Sequence, residues 1–301
     1  MVAGGVARRR VPHYTRDIPK PPEPPCHPQL KTRIPPAWIS PAWTRHAEPP
    51  SSAGRLARRF FENREALLVE AKGPQDLVSA ADRDVEALIR QEIARDFPGD
   101  RVLGEEFGDG EGGAGDEGAT GWVVDPIDGT QNFLRGIPQF VVSIAYRAGG
   151  TARVGVIHDP NAGETFWARA GGGAFRDGRP VRVSDVARLE DAVIGVGHSP
   201  RHPPEAFDRT ITALVEAGAQ TRNYCCAAIQ LAYVSDGRLD ATWDPYLLDW
   251  DVAAGMLIVS EAGGAGVSFV PGRKGPHADT LIAGTPALLD QFRTRTPMFQ
   301  D

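Results

Sequence analysis

Hydrophobic residues recur at helical spacing after residue 50, whereas positions 1–50 show almost no periodicity. A first helix is predicted to begin at Ser51, with an apolar face made of Leu56, Phe60, Phe61, Leu67 and Leu68. A second is predicted to begin after Ser79, a typical N-cap residue with Asp82 three positions later, and to end at Pro98-Gly99. Asp82 therefore lies in the first turn of a helix, where an acidic residue most often only caps the helix.

Short apolar runs separated by turn residues predict strands in the middle of the chain. Runs at 102–103 and 122–124 are followed by runs at 140–146, 152–157, 164–168 and 181–184. The last four are separated by typical hairpin turns at 149–150, 161–163 and 177–178. We therefore predict that these four runs form an antiparallel sheet. The acidic, glycine-rich segment at 108–121, between the runs at 102–103 and 122–124, has the composition of an exposed, mobile loop.

Strand and helix patterns alternate beyond Arg188. The predicted strands lie at 192–196, 221–224, 239–243, 267–270 and 281–283, and the predicted helices at 204–217, 227–234, 251–262 and 287–293. Such alternation is typical of an α/β arrangement. The globular part is therefore predicted to cover residues 51–301, with an α+β half at 51–187 and an α/β half at 188–301.

The first fifty residues differ in composition from the rest of the chain. They hold nearly half of the prolines, several of them in a run at 19–25. We expect this segment to be extended or disordered and dispensable for the fold. A proline-rich ligand for a partner domain is the alternative interpretation.

Charge, cysteine content and hydropathy exclude some classes of protein. The formal net charge is -6 without a basic stripe, so no nucleic acid partner is expected. The three cysteines, Cys26, Cys225 and Cys226, lack the spacing of a zinc site, and a reducing cytoplasm is the expected location. No apolar run approaches the roughly 20 residues that span a bilayer, so a membrane location is not expected.

Acidic side chains at the ends of apolar elements are the candidate chemistry. The run at 122–124 leads into Asp125 and Asp128, Glu105 follows the strand at 102–103, and Asp251 opens a predicted helix. Oxygen ligands from separate elements suit Mg²⁺, whereas the His and Cys residues that zinc prefers are absent from these segments. Each acid by itself would more often be a helix cap or a loop residue.

Taken together, the three segments resemble the motifs of the inositol monophosphatase family of metal-dependent, lithium-sensitive sugar phosphatases. The segments are GEE at 104–106, DPIDGT at 125–130 and WDVAAG at 250–255, and the resemblance extends from about residue 51 to the C-terminus. It implies a layered α-β-α-β-α sandwich, an α+β sugar-phosphatase fold with an antiparallel sheet in the N-terminal half and a mixed α/β C-terminal half. It also implies a homodimer that hydrolyses small phosphate monoesters with Mg²⁺.

The resemblance also implies roles for individual residues. Glu105, Asp125 and the backbone carbonyl of Ile127 would hold a first Mg²⁺ ion, and Asp125, Asp128 and Asp251 would hold a second. A third ion is expected near Glu105 through water. Glu105 and Thr130 would serve the water that attacks the phosphate, with the hydroxyl of Thr130 fixed by Asp82.

The predicted substrate contacts are also carried over by resemblance: Asp128, Gly129, Thr130, Cys225, Cys226, Ala227, Asp244 and Asp251. Members that use inositol phosphates commonly have Gly and a small hydroxyl residue where this chain has Cys225 and Cys226, and Glu where it has Asp244. An Asp reaches about one methylene less far than a Glu, and Cys225 adds bulk, so these departures bear on which alcohol fits the pocket.

The sequence therefore predicts a Mg²⁺-dependent phosphomonoesterase with inositol 1-phosphate as the leading substrate. Histidinol phosphate is the main alternative within the same chemistry. Nucleotide bisphosphates and fructose 1,6-bisphosphate are weaker alternatives, because no additional basic cluster is present for a second phosphate. A binding protein that has lost catalysis is the alternative from another class.

Overall fold

A computed structural model describes residues 48–67, 69–73, 76–108, 120–199, 204–268 and 280–295. The proline-rich segment up to residue 47 and most of the predicted loop at 108–121 lie outside the described residues. Among the described residues, no helix has both the length and the apolar character needed to cross a membrane.

Two helices precede the sheets in the chain. Helix α1 spans Glu48–Glu62 and α2 spans Ala80–Asp96, with a short hairpin of β1 (Val69–Gly73) and β2 (Asp76–Ser79) between them. Ser79 and Asp82 form the predicted capping box at the start of α2. The hairpin was not predicted, and α1 ends before Leu67 because a turn of 3-10 helix at Arg64–Ala66 follows it.

The first large sheet has seven strands in the order β3-β4-β5-β6-β7-β8-β9. Their bounds are β3 Val102–Gly104, β4 Gly121–Asp128, β5 Val141–Ala148, β6 Thr151–Asp159, β7 Glu164–Arg169, β8 Ala174–Arg176 and β9 Arg179–Pro180. The pairs from β4 to β9 are antiparallel, as predicted, whereas β3 and β4 run parallel.

The second large sheet has five strands in the order β11-β10-β12-β14-β13 and is mixed. The strands are β10 Val193–Val196, β11 Gln220–Arg222, β12 Ala241–Pro245, β13 Ala265–Ser268 and β14 Thr280–Gly284. The helices are α3 Thr130–Arg135, which follows β4, and then α4 Pro204–Glu216, α5 Ala227–Ser235, α6 Asp249–Glu261 and α7 Pro286–Arg295.

The elements form five layers, and the alternation of side chains along β4 shows how. Trp122 and Val124 belong to one buried cluster with residues of α1 and α2, such as Ala57 and Ile89. Val123, between them, belongs to a second cluster with residues of α5 and α6. Successive side chains of a strand point to opposite faces, so the seven-stranded sheet is covered by helices on both sides.

The five-stranded sheet completes the sandwich. One of its faces packs against the same helices α5 and α6, through residues such as Leu231, Val259 and Leu281. Its other face packs against α4 and α7, through residues such as Leu214 and Phe292. The order of layers is therefore helix, sheet, helix, sheet, helix, which confirms the predicted α-β-α-β-α architecture. Helices α5 and α6 form its middle layer.

The predicted strand at 181–184 is wrong. Residues Ala174–Arg176 and Arg179–Pro180 form the hairpin at this place instead, with Asp177 at φ 48 in its turn. Pro180 has no amide to continue a ladder. The amide of Val183 donates instead to the carbonyl of Ala262, so this segment is held to the end of α6.

Candidate active site

A cavity of about 660 Å³ lies where the two halves of the chain meet. Its wall includes residues from the end of β4, from the loop after β3, from the start of α5 and from the start of α6. Most of the predicted site residues line it: Glu105, Asp125, Ile127, Asp128, Gly129, Thr130, Cys225, Cys226, Ala227, Asp244 and Asp251. Segments more than a hundred residues apart in sequence therefore share one cavity.

The end of β4 brings Asp125 and Asp128 into the cavity. The register between β4 and β5 shifts between these two residues, because Pro126 has no amide hydrogen to pair. Asp125 is 1% exposed, and its Oδ1 accepts a hydrogen bond of 3.0 Å from the amide of Ile127. The chain then turns at Gly129, whose φ of 98 suits glycine and whose Cβ would lie 2.8 Å from the carbonyl oxygen of Gln139.

A buried carboxylate anchors the loop that carries Glu105. The side chain of Glu86, which is 0% exposed on α2, accepts hydrogen bonds from the amides of Glu106 at 2.7 Å and Phe107 at 3.4 Å. Arg90 also donates to it, at 2.7 Å. A side chain at Gly104 would overlap the Glu86 carboxylate. Glu86 therefore holds the loop through the amides on the C-terminal side of Glu105, and the close approach at Gly104 leaves room only for glycine on the other side.

Asp82 and Thr130 are in contact, as predicted, although Asp82 itself is buried beneath the cavity wall. The hydroxyl of Thr130 lies 3.3 Å from Oδ1 of Asp82 and 3.1 Å from the carbonyl oxygen of Ile127. The other carboxylate oxygen of Asp82 accepts hydrogen bonds from the amide and the hydroxyl of Ser79 at 2.8 and 2.7 Å. The capping box of α2 thus fixes the orientation of the carboxylate that faces Thr130.

The middle helix layer meets the acids of β4 at Asp128. Its Oδ2 accepts hydrogen bonds from the amide of Ala228 at 2.5 Å and from the thiol of Cys226 at 3.2 Å. Asp251, in the first turn of α6, accepts a hydrogen bond of 2.6 Å from the amide of Leu248. Asp251 therefore does cap its helix, while it also lines the cavity.

Burial, and after it mutual repulsion, raises the pKa values of these carboxylates. Burial, followed by the charges of Glu105, Asp128 and Asp251, raises the pKa of Asp125 well above its usual value. Burial, followed by the charge of Asp128, raises the pKa of Asp251 to about 8, and burial also raises that of Asp128. Among the described residues, no Arg or Lys forms an ion pair with Asp125, Asp128 or Asp251. Within the described part of the chain, these three acids therefore have no cationic side chain paired with them to neutralise them when they ionise.

The donor set suits Mg²⁺, an ion that protein side chains seldom enclose completely. Within the described part of the chain, no three His, Cys, Asp or Glu side chains are close enough together to form a complete metal site. One oxygen of each of Asp125, Asp128 and Asp251 is held by a backbone amide. Mg²⁺ keeps several waters and commonly takes only one or two carboxylates together with phosphate oxygens. An acidic, open wall of this kind meets that requirement.

The opposite side of the cavity carries Asp244 and the two cysteines. Asp244 is 5% exposed on β12, and burial raises its pKa to about 8. Its Oδ2 accepts hydrogen bonds from the amide group of Gln230 at 2.7 Å and from the hydroxyl of Thr242 at 3.1 Å. Cys225 is exposed, has a φ of 51, and its amide donates to the side chain of Asn223 at 2.9 Å. Burial raises the pKa values of both thiols, so neither is an activated nucleophile.

Several residues of this region were not predicted. Glu86, Gln230 and Thr242 lie behind the cavity wall, and Arg135 lines the cavity. Thr242 and Asp244 occupy alternate positions of a strand whose other side chains are apolar. That polar alternation within an otherwise buried strand is the signal that could have identified Thr242.

A five-layer α-β-α-β-α sandwich with several acids lining one cavity is an arrangement that suits a metal-assisted phosphoric monoester hydrolase. The sequence model of the Inositol monophosphatase family matches residues 50–296, so this chain belongs to that family and is a phosphomonoesterase.

Relatives and solved structures agree with this assignment. The Inositol-1-monophosphatase of Rhizobium meliloti is 39% identical over 243 residues, which cover 80% of this chain and 90% of the relative. The Nus factor SuhB of Pseudomonas aeruginosa is 38% identical, over 77% of this chain and 87% of the relative. The structure of an IMPase from Thermotoga maritima is similar with a TM-score of 0.75 and 30% identity, over 87% of this chain and 98% of that one.

Proposed function

We propose that this protein hydrolyses inositol 1-phosphate to inositol and phosphate with the help of Mg²⁺. The observation that carries the proposal is the convergence of Glu105, Asp125, Asp128 and Asp251 on one cavity. Among the described residues, the last three have no Arg or Lys as an ion-pair partner. The relative from Rhizobium meliloti bears the name Inositol-1-monophosphatase, which supports the choice of ester.

Different residues of the cavity would bind the metal ions, orient the attacking water and make room for the phosphate. Asp125, Asp128, Asp251 and Glu105, with the carbonyl of Ile127, would hold two Mg²⁺ ions, and a third would lie near Glu105. When bound, Mg²⁺ supplies a lowered pKa for water and charge neutralisation for the phosphate. Because the hydroxyl of Thr130 can donate to the buried Asp82, 3.3 Å away, its oxygen can accept a hydrogen bond from the attacking water. The turn at Gly129 leaves room for the phosphate close to the backbone.

The alcohol half of the ester would face the other side of the cavity. Cys225, Cys226, Ala227 and Asp244 line that side. Their carboxylate and small side chains suit the hydroxyl groups and the ring of a polyol. We propose that they recognise inositol.

Comparative kinetics on four esters tests the choice of substrate. Inositol 1-phosphate, histidinol phosphate, adenosine 3',5'-bisphosphate and fructose 1,6-bisphosphate are each assayed with Mg²⁺ and with EDTA. We expect the largest kcat/KM for inositol 1-phosphate and no turnover in EDTA. Faster cleavage of histidinol phosphate would replace the leading substrate by its main alternative.

The Asp125→Asn variant separates an enzyme from a binding protein of the same fold. Asparagine keeps the acceptor for the amide of Ile127 but removes a charge that its neighbours repel. We expect turnover to vanish while the thermal stability of the metal-free protein stays equal or rises. Full activity of this variant would contradict the assignment of Asp125 as a metal ligand.

Two further proposals concern the oligomeric state of the protein and its location in the cell. We propose a homodimer and a cytoplasmic location, the latter supported by the unpaired thiols of Cys225 and Cys226. Size-exclusion chromatography with light scattering tests the dimer, for which a mass near twice the chain mass of 32.4 kDa is expected.

A further inference from the structure

A polar cluster lies directly behind the alcohol side of the cavity. Gln230 on α5 and Thr242 on β12 are both 0% exposed, and both donate hydrogen bonds to the same oxygen, Oδ2 of Asp244. Neither residue lines the cavity, whereas Asp244 does. The two donors therefore act on the cavity only through the carboxylate of Asp244.

The neighbouring strand leaves space for this cluster. Gly195 lies opposite Thr242 in the parallel pairing of β10 with β12, and its Cβ would lie 2.9 Å from both the hydroxyl of Thr242 and Oε1 of Gln230. A side chain at Gly197 would overlap Oδ1 of Asp244. Two glycines at alternate positions are thus needed on the face of the sheet that meets the middle layer.

The two oxygens of Asp244 consequently differ in their surroundings. Oδ2 already accepts two hydrogen bonds, whereas Oδ1 lies beside Gly197, which itself lines the cavity. A carboxylate held at one oxygen cannot rotate freely, so the direction in which the other oxygen accepts a hydrogen bond is fixed. A fixed acceptor discriminates between ligands that do and do not present a hydroxyl group at that place.

We propose that Gln230 and Thr242 are positioning residues that determine substrate specificity: by holding Oδ2 of Asp244 they direct Oδ1 toward a hydroxyl group of the alcohol half. The substrate class is then a polyol phosphate with a free hydroxyl near the phosphate, in preference to esters that have none. This inference rests on the proposed function, since it assumes that the cavity hydrolyses a phosphate ester.

The test compares two esters that differ in their hydroxyl groups. We measure kcat and KM for inositol 1-phosphate and for phenyl phosphate, which has no hydroxyl group, and we follow the ratio of the two kcat/KM values. Thr242→Val and Gln230→Met each remove one donor with little change of volume. Each should lower the ratio about fivefold, mainly through KM for inositol 1-phosphate. Thr242→Ser, which restores a hydroxyl, should return the ratio to that of the wild type.

Further variants distinguish positioning from a general loss of stability. Thr285→Val removes another buried hydroxyl, one that donates to the carbonyl of Val186 at 2.9 Å outside the cavity lining, and it should not change the ratio. Gly197→Ala should lower the ratio although both donor side chains remain, because its methyl group displaces Asp244. In an Asp244→Ala background, Thr242→Val should have no further effect on the ratio, since nothing remains for it to position.

The outcomes decide the inference separately from the proposed function. An equal loss for both esters in Thr242→Val and Gln230→Met, or an undiminished effect of Thr242→Val in the Asp244→Ala background, would overturn it. If the wild type prefers another hydroxylated ester, the proposed substrate fails and the ratio is measured with that ester. If it cleaves no ester, crystal structures of the wild type and Thr242→Val decide, and an unmoved Asp244 carboxylate refutes the inference.

Discussion

The replacement of Glu86 by glutamine should weaken both the stability of this protein and its response to Mg²⁺. Glu86 is completely buried and accepts hydrogen bonds from Arg90 and from the amides of Glu106 and Phe107. Glutamine offers one acceptor oxygen, and its amide group would face one of these donors. The substitution therefore removes a charged acceptor and leaves a donor without a partner.

The size of the effect follows from these contacts. A hydrogen bond to a charged group contributes about 1.5–3 kcal/mol, and a buried donor left unsatisfied costs about 1–3 kcal/mol. We expect a loss of about 3 kcal/mol, near the lower end of their sum, because the exposed part of Arg90 can turn to water. At 2–4 °C for each kcal/mol, Tm should fall by roughly 6–12 °C.

Activity should fall for a separate reason, which is the position of Glu105. The loop of Glu105 is held through the amides on its C-terminal side, and without Glu86 it is free to move away from Asp125. The Mg²⁺ concentration for half-maximal activity should rise, and Mg²⁺ should stabilise the variant less than the wild type in calorimetry. Both are measured by titrating Mg²⁺, once in the ester assay and once in thermal unfolding.

A matched control is the exposed carboxylate of Glu70 on β1, which pairs with Arg83 of the same helix α2. Glu70→Gln breaks the exposed ion pair between Glu70 and Arg83, and it should leave Tm and the Mg²⁺ response almost unchanged. A Glu86→Gln variant that behaves like this control would refute the reasoning. A lower Tm with an unchanged Mg²⁺ response would show that Glu86 stabilises the fold without positioning Glu105.

Three further predictions concern pH, a thiol and the N-terminal boundary. In EDTA, Tm should fall as the pH rises from about 4 to about 8. Folding raises the pKa values of Asp244 and Asp251 from 3.8 to about 8, so in this range the folded state binds more protons than the unfolded state. Added Mg²⁺ should make Tm less dependent on pH, and calorimetry measures both effects. Cys226→Ala should lower kcat/KM about fivefold, because it removes the thiol that donates to Asp128. Cys226→Ser should retain activity, and equal activity of the two variants would contradict this role of the thiol. Deletion of residues 1–47 should leave activity and Tm unchanged. Deletion through Glu62 should prevent folding, because Ala53 and Ala57 of α1 are completely buried. The yield of soluble protein and the ester assay test both deletions.

The acids of the site could be found from sequence because they stand in short local patterns. Asp125 and Asp128 follow a run of apolar residues, and a buried strand that ends in acids is visible without any knowledge of the fold. The cap formed by Ser79 and Asp82 depends on residues three positions apart, and it was predicted for the same reason. A short sequence pattern predicts a contact correctly when the two contacting residues are close together in sequence.

The supporting contacts could not be found in this way. Glu86 lies in the middle of α2, and nothing in the helix pattern indicates that the amide of Glu106 would reach it across twenty positions. The strand predicted at 181–184 had a suitable alternation, but the amide of Val183 pairs with Ala262 at the end of a distant helix. Packing between layers decides such contacts, and a single sequence does not record which layers meet.

The place of α6 in the middle layer has a consequence for the order in which the active site is assembled during synthesis. A ribosome makes the chain from its N-terminus, so Glu105, Asp125 and Asp128 are synthesised long before Asp251, which lies more than a hundred positions after Asp128. Until α6 docks between the two sheets, the first three acids have no neighbour from the C-terminal half and remain open to water, so the cost of bringing like charges together is deferred. Catalytic competence should thus appear only once α6 has docked between the two sheets, and not when the first three acids have been synthesised.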